Sequence, residues 1–339
     1  MAAALRVYEL SQRLPLGAKI KKLKSSPSPS PSPSPSPSPD LPRMPATPPD
    51  LFDTRQVRRA FSRSAGHYES AAALQREVES RLLESLDYLD ERQPQVVVDL
   101  GCGPGHAAAA MRKRWPRARI VALDLALPML QQARRQSSWW RPFDRVCADA
   151  RALPLADGSV DVLFSNLCVQ WVDDLPALFA EFRRVLKPGA RLLVSSFGPE
   201  TLIELRDAFA HADAVPHVSP FAAIGQFGDA MVQAGFRDPV LDRDVFVPGY
   251  PDLAALMREL RTLGATNALR TRRHTLTGRA RFAAAAAAYE AERRGDGLLP
   301  ATWEVIYAQA WAPPPGAPIR VEGYEVTAVP VAQIPIRRR

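Results

Sequence analysis

The sequence of 339 residues contains only three cysteines and no long apolar segment. Cys102, Cys147 and Cys168 fall in or beside predicted strands. An odd number of cysteines at unrelated core positions excludes a disulfide framework and a metal site, so we expect buried thiols and a cytoplasmic protein. No apolar run approaches the ~18 residues of a membrane-spanning helix. The first 24 residues also lack the continuous apolar core of a secretory signal, so we expect neither secretion nor a membrane partner.

The net charge of the body of the chain is small, although the whole sequence carries a formal net charge of +8. Residues 1–50 contribute +4 and the last three arginines contribute +3, which leaves +1 for the rest. A nucleic-acid-binding face needs positive charge clustered on the folded part. We therefore expect no nucleic-acid partner.

Proline is abundant in one low-complexity segment, the serine–proline repeat at residues 25–39. Proline has no N–H donor, so such a repeat favours an extended, disordered spacer. The sequence therefore predicts three parts. These are a basic segment with a disordered Ser/Pro linker at 1–50, a folded domain at 51–312 and a C-terminal tail at 313–339.

Strand-like and helix-like patterns alternate through the folded part. We predict strands at 96–100, 118–124, 144–148, 160–166, 191–197, 239–247 and 302–311. We predict that residues 53–90 are helical, that helices also occupy 105–115, 127–136, 175–187, 199–211 and 226–234, and that a largely helical insertion lies at about 251–294. This order indicates a Rossmann-like α/β fold with a seven-stranded, mostly parallel sheet, in which an insertion before the last strand covers the site. Ligands of such sheets bind beyond the carboxyl ends of the strands.

The strongest motif begins with the apolar run from Val96 to Leu100 and continues with Gly101, Gly103 and Gly105. Glycines at such a turn let the backbone approach a ligand closely. Asp124 ends the next predicted strand, where a carboxylate can accept hydrogen bonds from both hydroxyls of a ribose. The spacing is GxGxG and not the GxGxxG of dinucleotide enzymes. It therefore indicates a nucleoside without pyrophosphate, with S-adenosylmethionine (SAM) as the leading candidate.

Two more candidate residues follow later strands. Asp149 ends the third strand, where its carboxylate could accept a hydrogen bond from the adenine amino group, or could instead serve as a turn acid. Asn166 ends the fourth strand and faces the expected position of a sulfonium. Trp171 is as consistent with a core residue as with a site residue.

These motifs resemble the malonyl-acyl-carrier-protein O-methyltransferases of biotin synthesis, which are class I SAM-dependent methyltransferases. The resemblance covers about residues 52–312. It rests on four segments, 60–76, 99–105 with 124–130, 166–171, and 256–267. The first and last of these discriminate the family, because very many methyltransferases share the SAM motifs.

The resemblance implies transfer of the SAM methyl group to the free carboxylate of malonyl-acyl-carrier protein, which gives the methyl ester that starts pimeloyl and biotin synthesis. The partner would be an acidic carrier with a phosphopantetheine arm. Tyr68 and Arg258 are the catalytic candidates for the implied reaction. Arg258 would grip the malonyl carboxylate or else be a solvated helix residue, and Tyr68 would place its hydroxyl near the methyl group or else be a core aromatic. The resemblance adds Asp99, Leu125 and Ala150 to the cofactor-binding residues Gly101, Gly103, Gly105, Asp124, Asp149 and Asn166.

Later segments, 197–206 and 217–221, also resemble mitochondrial respiratory-complex assembly factors that use this fold for protein-arginine hydroxylation. Two alternatives therefore remain open. One is a hydroxylase-like or small-molecule enzyme, and the other is a non-catalytic assembly factor on the same SAM-binding fold.

Overall fold

The computed structural model describes residues 51–88, 93–137, 139–275, 277–314, 319–321 and 324–326. The predicted segment and linker at 1–50 and most of the predicted tail lie outside these residues. None of the helices within the described ranges has the length and apolar character needed to cross a bilayer.

The described residues form nine α-helices and eleven strands. The helices are α1 (Thr54–Ser64), α2 (Ala73–Glu84), α3 (His106–Arg114), α4 (Leu127–Gln136), α5 (Leu175–Val185), α6 (Ile203–Ala210), α7 (Ile224–Gln233), α8 (Leu253–Leu263) and α9 (Arg279–Tyr289). The strands are β1 (Val96–Leu100), β2 (Arg119–Asp124), β3 (Asp144–Cys147), β4 (Val160–Ser165), β5 (Leu186–Phe197), β6 (Arg237–Phe246), β7 (Gly249–Tyr250), β8 (Leu299–Pro300), β9 (Trp303–Trp311), β10 (Ile319–Val321) and β11 (Tyr324–Val326).

Seven strands form one sheet in the order β3-β2-β1-β4-β5-β9-β6. Strands β1 to β5 pair in parallel, whereas β9 runs antiparallel to both β5 and β6. The order reverses at β1 and β4, whose carboxyl ends therefore border the crevice in which such sheets bind ligands. The predicted α/β class and the seven-stranded, mostly parallel sheet are confirmed.

Both faces of the sheet are buried, which explains why its central strands are almost continuously apolar. Successive residues of a strand point to opposite faces. In β1, Val98 belongs to a core with α5 and α7, while Val97 belongs to a second core with α3 and α4. A third core joins α6, α8 and α9 to α2 and to the end of β5.

The helix predicted within 53–90 is interrupted. After α1 the chain forms a turn and a short 3-10 segment at Tyr68–Ser70 before α2 begins. Apolar periodicity continues across this break, so the pattern alone could not reveal it. The interruption matters because it points Tyr68 into the crevice above the sheet.

Two other predicted helices are shorter than expected. The helix predicted at 175–187 ends at Val185, because Leu186 is already extended and pairs with Val160 of β4. A proline disfavours the helical conformation of the residue before it, so Lys187, which precedes Pro188, is not helical either. The helix predicted at 199–211 begins only at Ile203, since Leu202 has a left-handed φ of 55°.

The predicted insertion at about 251–294 contains two helices, α8 and α9, joined by an irregular segment that includes residues 264–275. Short strands β7 and β8 pair with each other at its two ends. In the region predicted as a tail, β10 and β11 form an antiparallel pair, which the sequence patterns did not predict.

Candidate active site

The turn after β1 contains three glycines with left-handed φ angles: 69° at Gly101, 49° at Gly103 and 87° at Gly105. A Cβ atom on Gly101 would lie 2.5 Å from the side chain of Cys168, and one on Gly105 would lie 2.8 Å from Cβ of Ala133. A Cβ on Gly103 would meet nothing within 4 Å. Gly101 and Gly105 therefore allow close packing, whereas Gly103 exposes its backbone to open space.

Asp124 at the end of β2 fixes this turn. One carboxylate oxygen accepts a hydrogen bond from the Gly103 N–H at 2.9 Å, and the other accepts from the Ala126 N–H at 2.7 Å. Burial raises the pKa of Asp124 to about 6, while these two hydrogen bonds oppose the shift. Each carboxylate oxygen can accept about two hydrogen bonds. Both oxygens of Asp124 therefore retain capacity for a ligand's hydroxyl groups.

An open cleft of about 850 Å³ lies at the carboxyl ends of β1, β2 and β4. This volume includes solvent at the open mouth of the cleft. Eight of the predicted site residues line this cleft: Tyr68, Gly101, Gly103, Asp124, Leu125, Asp149, Ala150 and Asn166. The structure thus brings together residues that are spread over the whole parallel half of the sheet.

Helix α1 forms the roof of the cleft. Thr54, Val57, Arg58 and Phe61 line it from above. Phe61 meets Trp171 edge to face, with ring centroids 5.4 Å apart, so Trp171 is a lining residue as well as a packed one. The steps of three and four residues on α1 could have predicted this face, but nothing in the sequence shows which surface it covers.

The roof is fastened to the insertion by main-chain and ionic contacts. The N–H of Asp53 donates to the carbonyl of Ala268 at 2.8 Å, and Phe52 forms an isolated β-bridge with Leu269. The carboxylate of Asp53 accepts from the guanidinium of Arg272 at 2.9 Å. The same carboxylate caps α1 by accepting from the Gln56 N–H. The start of α1 is therefore held by the irregular segment between α8 and α9.

A second cavity of about 410 Å³ adjoins the cleft and shares Tyr68, Gly101, Gly103 and Asn166 with it. The remaining lining residues are rich in ionisable groups: Glu69, Arg76, Glu79, Asp99 and His106, together with Ala72, Gln75, Cys102 and Pro104. Of these, only Asp99 is predicted from the sequence. Glu69, Ala72, Gln75, Arg76 and Glu79 come from α2 and the segment before it, whereas Cys102 and Pro104 belong to the glycine turn and His106 begins α3.

Two acids of this second cavity, Asp99 and Glu79, are poorly solvated. Asp99 is 2% exposed, and one of its carboxylate oxygens has no hydrogen-bond partner. Burial raises its pKa well above the usual range, and the nearby Glu79 adds to the shift. Burial likewise raises the pKa of Glu79 to about 7, while His106 and Arg76 oppose the shift and Glu69 adds to it. These carboxyl groups would be stabilised in their ionised form by a cationic ligand.

Asp149 lies at the adenine end predicted for the cleft, and Arg151 holds its carboxylate in a fork. The Arg151 guanidinium donates to both oxygens, at 3.0 and 2.7 Å, and also to the Thr54 hydroxyl of α1 at 3.1 Å. These hydrogen bonds hold the pKa of Asp149 below its usual range. Arg151 therefore joins the end of β3 to the roof, a role that no sequence motif indicates.

Asn166 and Tyr68 lie at the junction of the two cavities. The Asn166 amide donates to the carbonyl of Gln75 at 3.1 Å and accepts from the Ser195 hydroxyl at 2.7 Å. Tyr68 packs against Ala65, Ala126 and Met129. Burial and three neighbouring acids raise the pKa of Tyr68, so its phenol stays protonated and can donate a hydrogen bond.

Two predicted site residues lie away from both cavities. Gly105 lines neither cavity and caps α3 next to Ala133 of α4. Arg258 is exposed on α8, and within the described residues its side chain has no ion pair. Helix α8 packs against α1 and the Tyr68–Ser70 segment, so Arg258 belongs to the neighbourhood of the roof without lining the cleft.

A family model described as a methyltransferase domain matches residues 98–194, which run from within β1 into β5 and include the glycine turn. A malonyl-[acyl-carrier protein] O-methyltransferase from Xylella fastidiosa is 61% identical over 289 residues, covering 85% of this chain and 98% of that protein. The same-named protein from Halorhodospira halophila is 43% identical and covers 85% and 97% respectively. This chain belongs to the malonyl-[acyl-carrier protein] O-methyltransferase family.

The predicted family and enzyme class, an O-methyltransferase, are therefore confirmed, and the hydroxylase-like and non-catalytic alternatives receive no support from these relatives. The bifunctional biotin biosynthesis protein BioHC of Saccharophagus degradans is 39% identical over 75% of this chain, which matches 46% of that protein. The crystal structure of YcgJ protein from Bacillus subtilis covers 68% of this chain and 97% of that protein with a TM-score of 0.50. Because the two sequences are only 16% identical, this similarity shows the fold and nothing about the activity.

Proposed function

We propose that this methyltransferase transfers the methyl group of SAM to the free carboxylate of malonyl-acyl-carrier protein, and so acts in biotin synthesis. The observation that carries the proposal is the pair of adjoining cavities. One has a carboxylate suited to a ribose, and the other has partly desolvated acids suited to an ammonium group. The names of the relatives supply the acceptor and the pathway.

The residues present fit SAM. Asp124 has acceptor capacity for the ribose hydroxyls, and the open backbone at Gly103 leaves room beside them. Asp149 keeps one acceptor site on the oxygen that receives a single hydrogen bond from Arg151, next to Leu125 and Ala150. The unpartnered oxygen of Asp99 suits the amino group of the methionine part, and Arg76 suits its carboxylate.

When bound, SAM supplies a methyl group activated by a sulfonium. The acceptor carboxylate is ionised at neutral pH, because model carboxylic acids titrate near ~4. The chain therefore needs no general base, and its residues orient the acceptor and exclude water. Phe61 and Trp171 supply an apolar wall, and the protonated Tyr68 hydroxyl is suited to donate a hydrogen bond that aligns the carboxylate.

For the acceptor carboxylate we keep Arg258 as the proposed clamp, since a guanidinium grips a carboxylate with two parallel hydrogen bonds. Arg58 is a second candidate, because it lines the cleft directly. Arg258→Lys should lower kcat/KM for the malonyl carrier about 10–100-fold, or about 1.4–2.8 kcal/mol, and leave SAM affinity within about twofold. Arg58→Lys is the matched variant. If Arg58→Lys loses turnover and Arg258→Lys does not, the residue that binds the carboxylate is Arg58 of α1.

The decisive experiment incubates the purified protein with SAM and four acceptors: malonyl-acyl-carrier protein, malonyl-coenzyme A, malonate and acetyl-acyl-carrier protein. Mass spectrometry should detect a methyl ester on the malonyl thioesters and none on the acetyl carrier. Methylation of malonate at the same rate would make this a small-molecule enzyme. Absence of product with every acceptor, despite measurable SAM binding, would overturn the proposal.

A further inference from the structure

Helix α1 carries four arginines, Arg55, Arg58, Arg59 and Arg63, and no acidic residue. Arg55, Arg59 and Arg63 recur every four residues, so they lie in one row along the helix. All three are exposed. Among the residues that the structure describes, none of these side chains forms an ion pair. Like charges at this spacing repel one another, so the row weakens the isolated helix.

The row borders the mouth of the active site. Arg58 lines the cleft, and Arg55 and Arg59 are its neighbours around the helix on the side opposite to the cleft-lining Thr54 and Phe61. The row therefore lies next to Arg58 on the exposed side of α1, beside the entrance of the cleft.

The other basic cluster near the site is largely neutralised. Arg272 pairs with Asp53 at 2.9 Å. Arg273 and Arg281 both lie within ion-pair distance of Asp213, at 2.9 and 3.8 Å. Arg273 and its neighbours hold the pKa of Asp213 well below its usual range, so this acid remains ionised. These arginines of the insertion stabilise the fold, whereas those of α1 have no such partner within the described part of the chain.

We propose that the outer face of α1, formed by Arg55, Arg59 and Arg63, docks the acidic carrier protein that presents the acyl thioester to the cleft. This inference rests on the proposed function. A positive row meets an acidic partner by charge complementarity, which increases the association rate and fixes orientation. The row lies beside the cleft mouth, so a docked carrier could feed its acyl arm past Arg58 into the site.

The test compares a carrier-bound substrate with a carrier-free one. Arg55→Glu/Arg59→Glu reverses the charge of two of the three arginines of the row, and neither of them lines a cavity. An acid near a helix N-terminus is favourable, and the second substitution places an acid four residues before Arg63, which is an attractive i,i+4 pair. The matched control is Lys113→Glu/Arg117→Glu, which changes the net charge by the same amount. Lys113 lies in the last turn of α3 and Arg117 between α3 and β2, at the end of the strands opposite to the cleft.

For the double variant on α1, kcat/KM for malonyl-acyl-carrier protein should fall at least tenfold, mainly through KM. For malonyl-coenzyme A it should stay within about twofold of the parent protein. The control should behave like the parent with both substrates. Raising the salt concentration should slow the parent reaction with the carrier and affect the α1 variant much less.

Equal turnover of the carrier by parent and α1 variant would overturn the docking surface while leaving the proposed function intact. An equal loss in the control would assign the effect to net charge and also overturn it. If the α1 variant lost binding to anionic vesicles or RNA but kept carrier turnover, the row would serve another polyanion. Failure of the parent to methylate either malonyl thioester would instead reject the proposed function.

Discussion

Two regions of the active site differ in how far apart their contacting residues lie along the chain. One is the glycine turn at the carboxyl ends of the strands, and the other is the roof formed by α1. Asp124 grips the turn through Gly103, only 21 residues away. Asp53, which caps the roof helix α1, pairs with Arg272 across 219 residues. The nucleoside side is thus a local unit, whereas the acceptor side exists only when distant segments meet. Substitutions on the two sides should therefore have different effects.

The largest effect is expected at Gly101 on the local side. In Gly101→Ala, the new Cβ would lie 2.5 Å from Cys168 in a backbone with a φ of 69°. Left-handed strain and overpacking together should lower the free energy of unfolding by about 3 kcal/mol or more. Gly103→Ala is the matched control, because its Cβ meets nothing, and it should cost about 1–2 kcal/mol. Urea denaturation compares them, and equal losses would refute a packing role for Gly101.

Asp124→Ala should come next. It removes two backbone hydrogen bonds as well as the proposed ribose acceptor, so SAM affinity should fall by about 2 kcal/mol or more. Asp144→Ala, at the opposite end of the neighbouring strand, controls for the loss of an acid. Calorimetry that finds unchanged SAM affinity in a folded Asp124→Ala protein would remove this residue from the site.

Glu79 tests the second cavity through its pH dependence. Its pKa is raised from 4.5 to about 7 in the folded protein. A carboxyl group that is a weaker acid when folded contributes stability that is fully present below about pH 4.5 and is lost as the pH rises through about 7. Glu79→Gln should therefore raise the stability of the ligand-free protein at pH 8, by on the order of 1–2 kcal/mol.

The same substitution should weaken SAM binding. Attraction of a cationic group requires ionised carboxylates, so the affinity of the parent protein should increase as the pH rises through about 7. Glu79→Gln should reduce this pH dependence. Calorimetry at pH 6 and pH 8 measures both proteins, and a parallel pH profile in the variant would show that Glu79 does not face the ligand.

The smallest effect is expected where the roof is fastened. Asp53→Asn keeps a side chain that can cap α1 but loses the ionic contact with Arg272. Asp53→Ala loses both and should lower the melting temperature by a few degrees, and Asp53→Asn should lower it by less. Thermal unfolding ranks the two variants. A larger loss in Asp53→Asn than in Asp53→Ala would contradict the assignment of the cap.

The glycine turn and the strand ends could be predicted from the sequence, because each depends on residues that are close together along the chain. The glycine turn, Asp124 and the ends of the first five strands follow from apolar runs, glycine spacing and acids at strand ends. The roof has no such signature. Arg58, Arg151 and Glu79 lie in ordinary helix or turn sequences, and only tertiary packing brings them to the cavities. Gly105 shares the motif of the other glycines but serves the contact between α3 and α4.

Strand β9 occupies a position between β5 and β6, although it follows both along the chain. During synthesis, β6 therefore has no neighbour in the sheet until residues 303–311 have left the ribosome. Until then both β5 and β6 present unpaired edges, the kind of surface that promotes aggregation. Nascent chains that stop before Trp311 should accordingly need chaperones. A premature stop codon within β9 would remove the pairing of β6 as well as β9 itself.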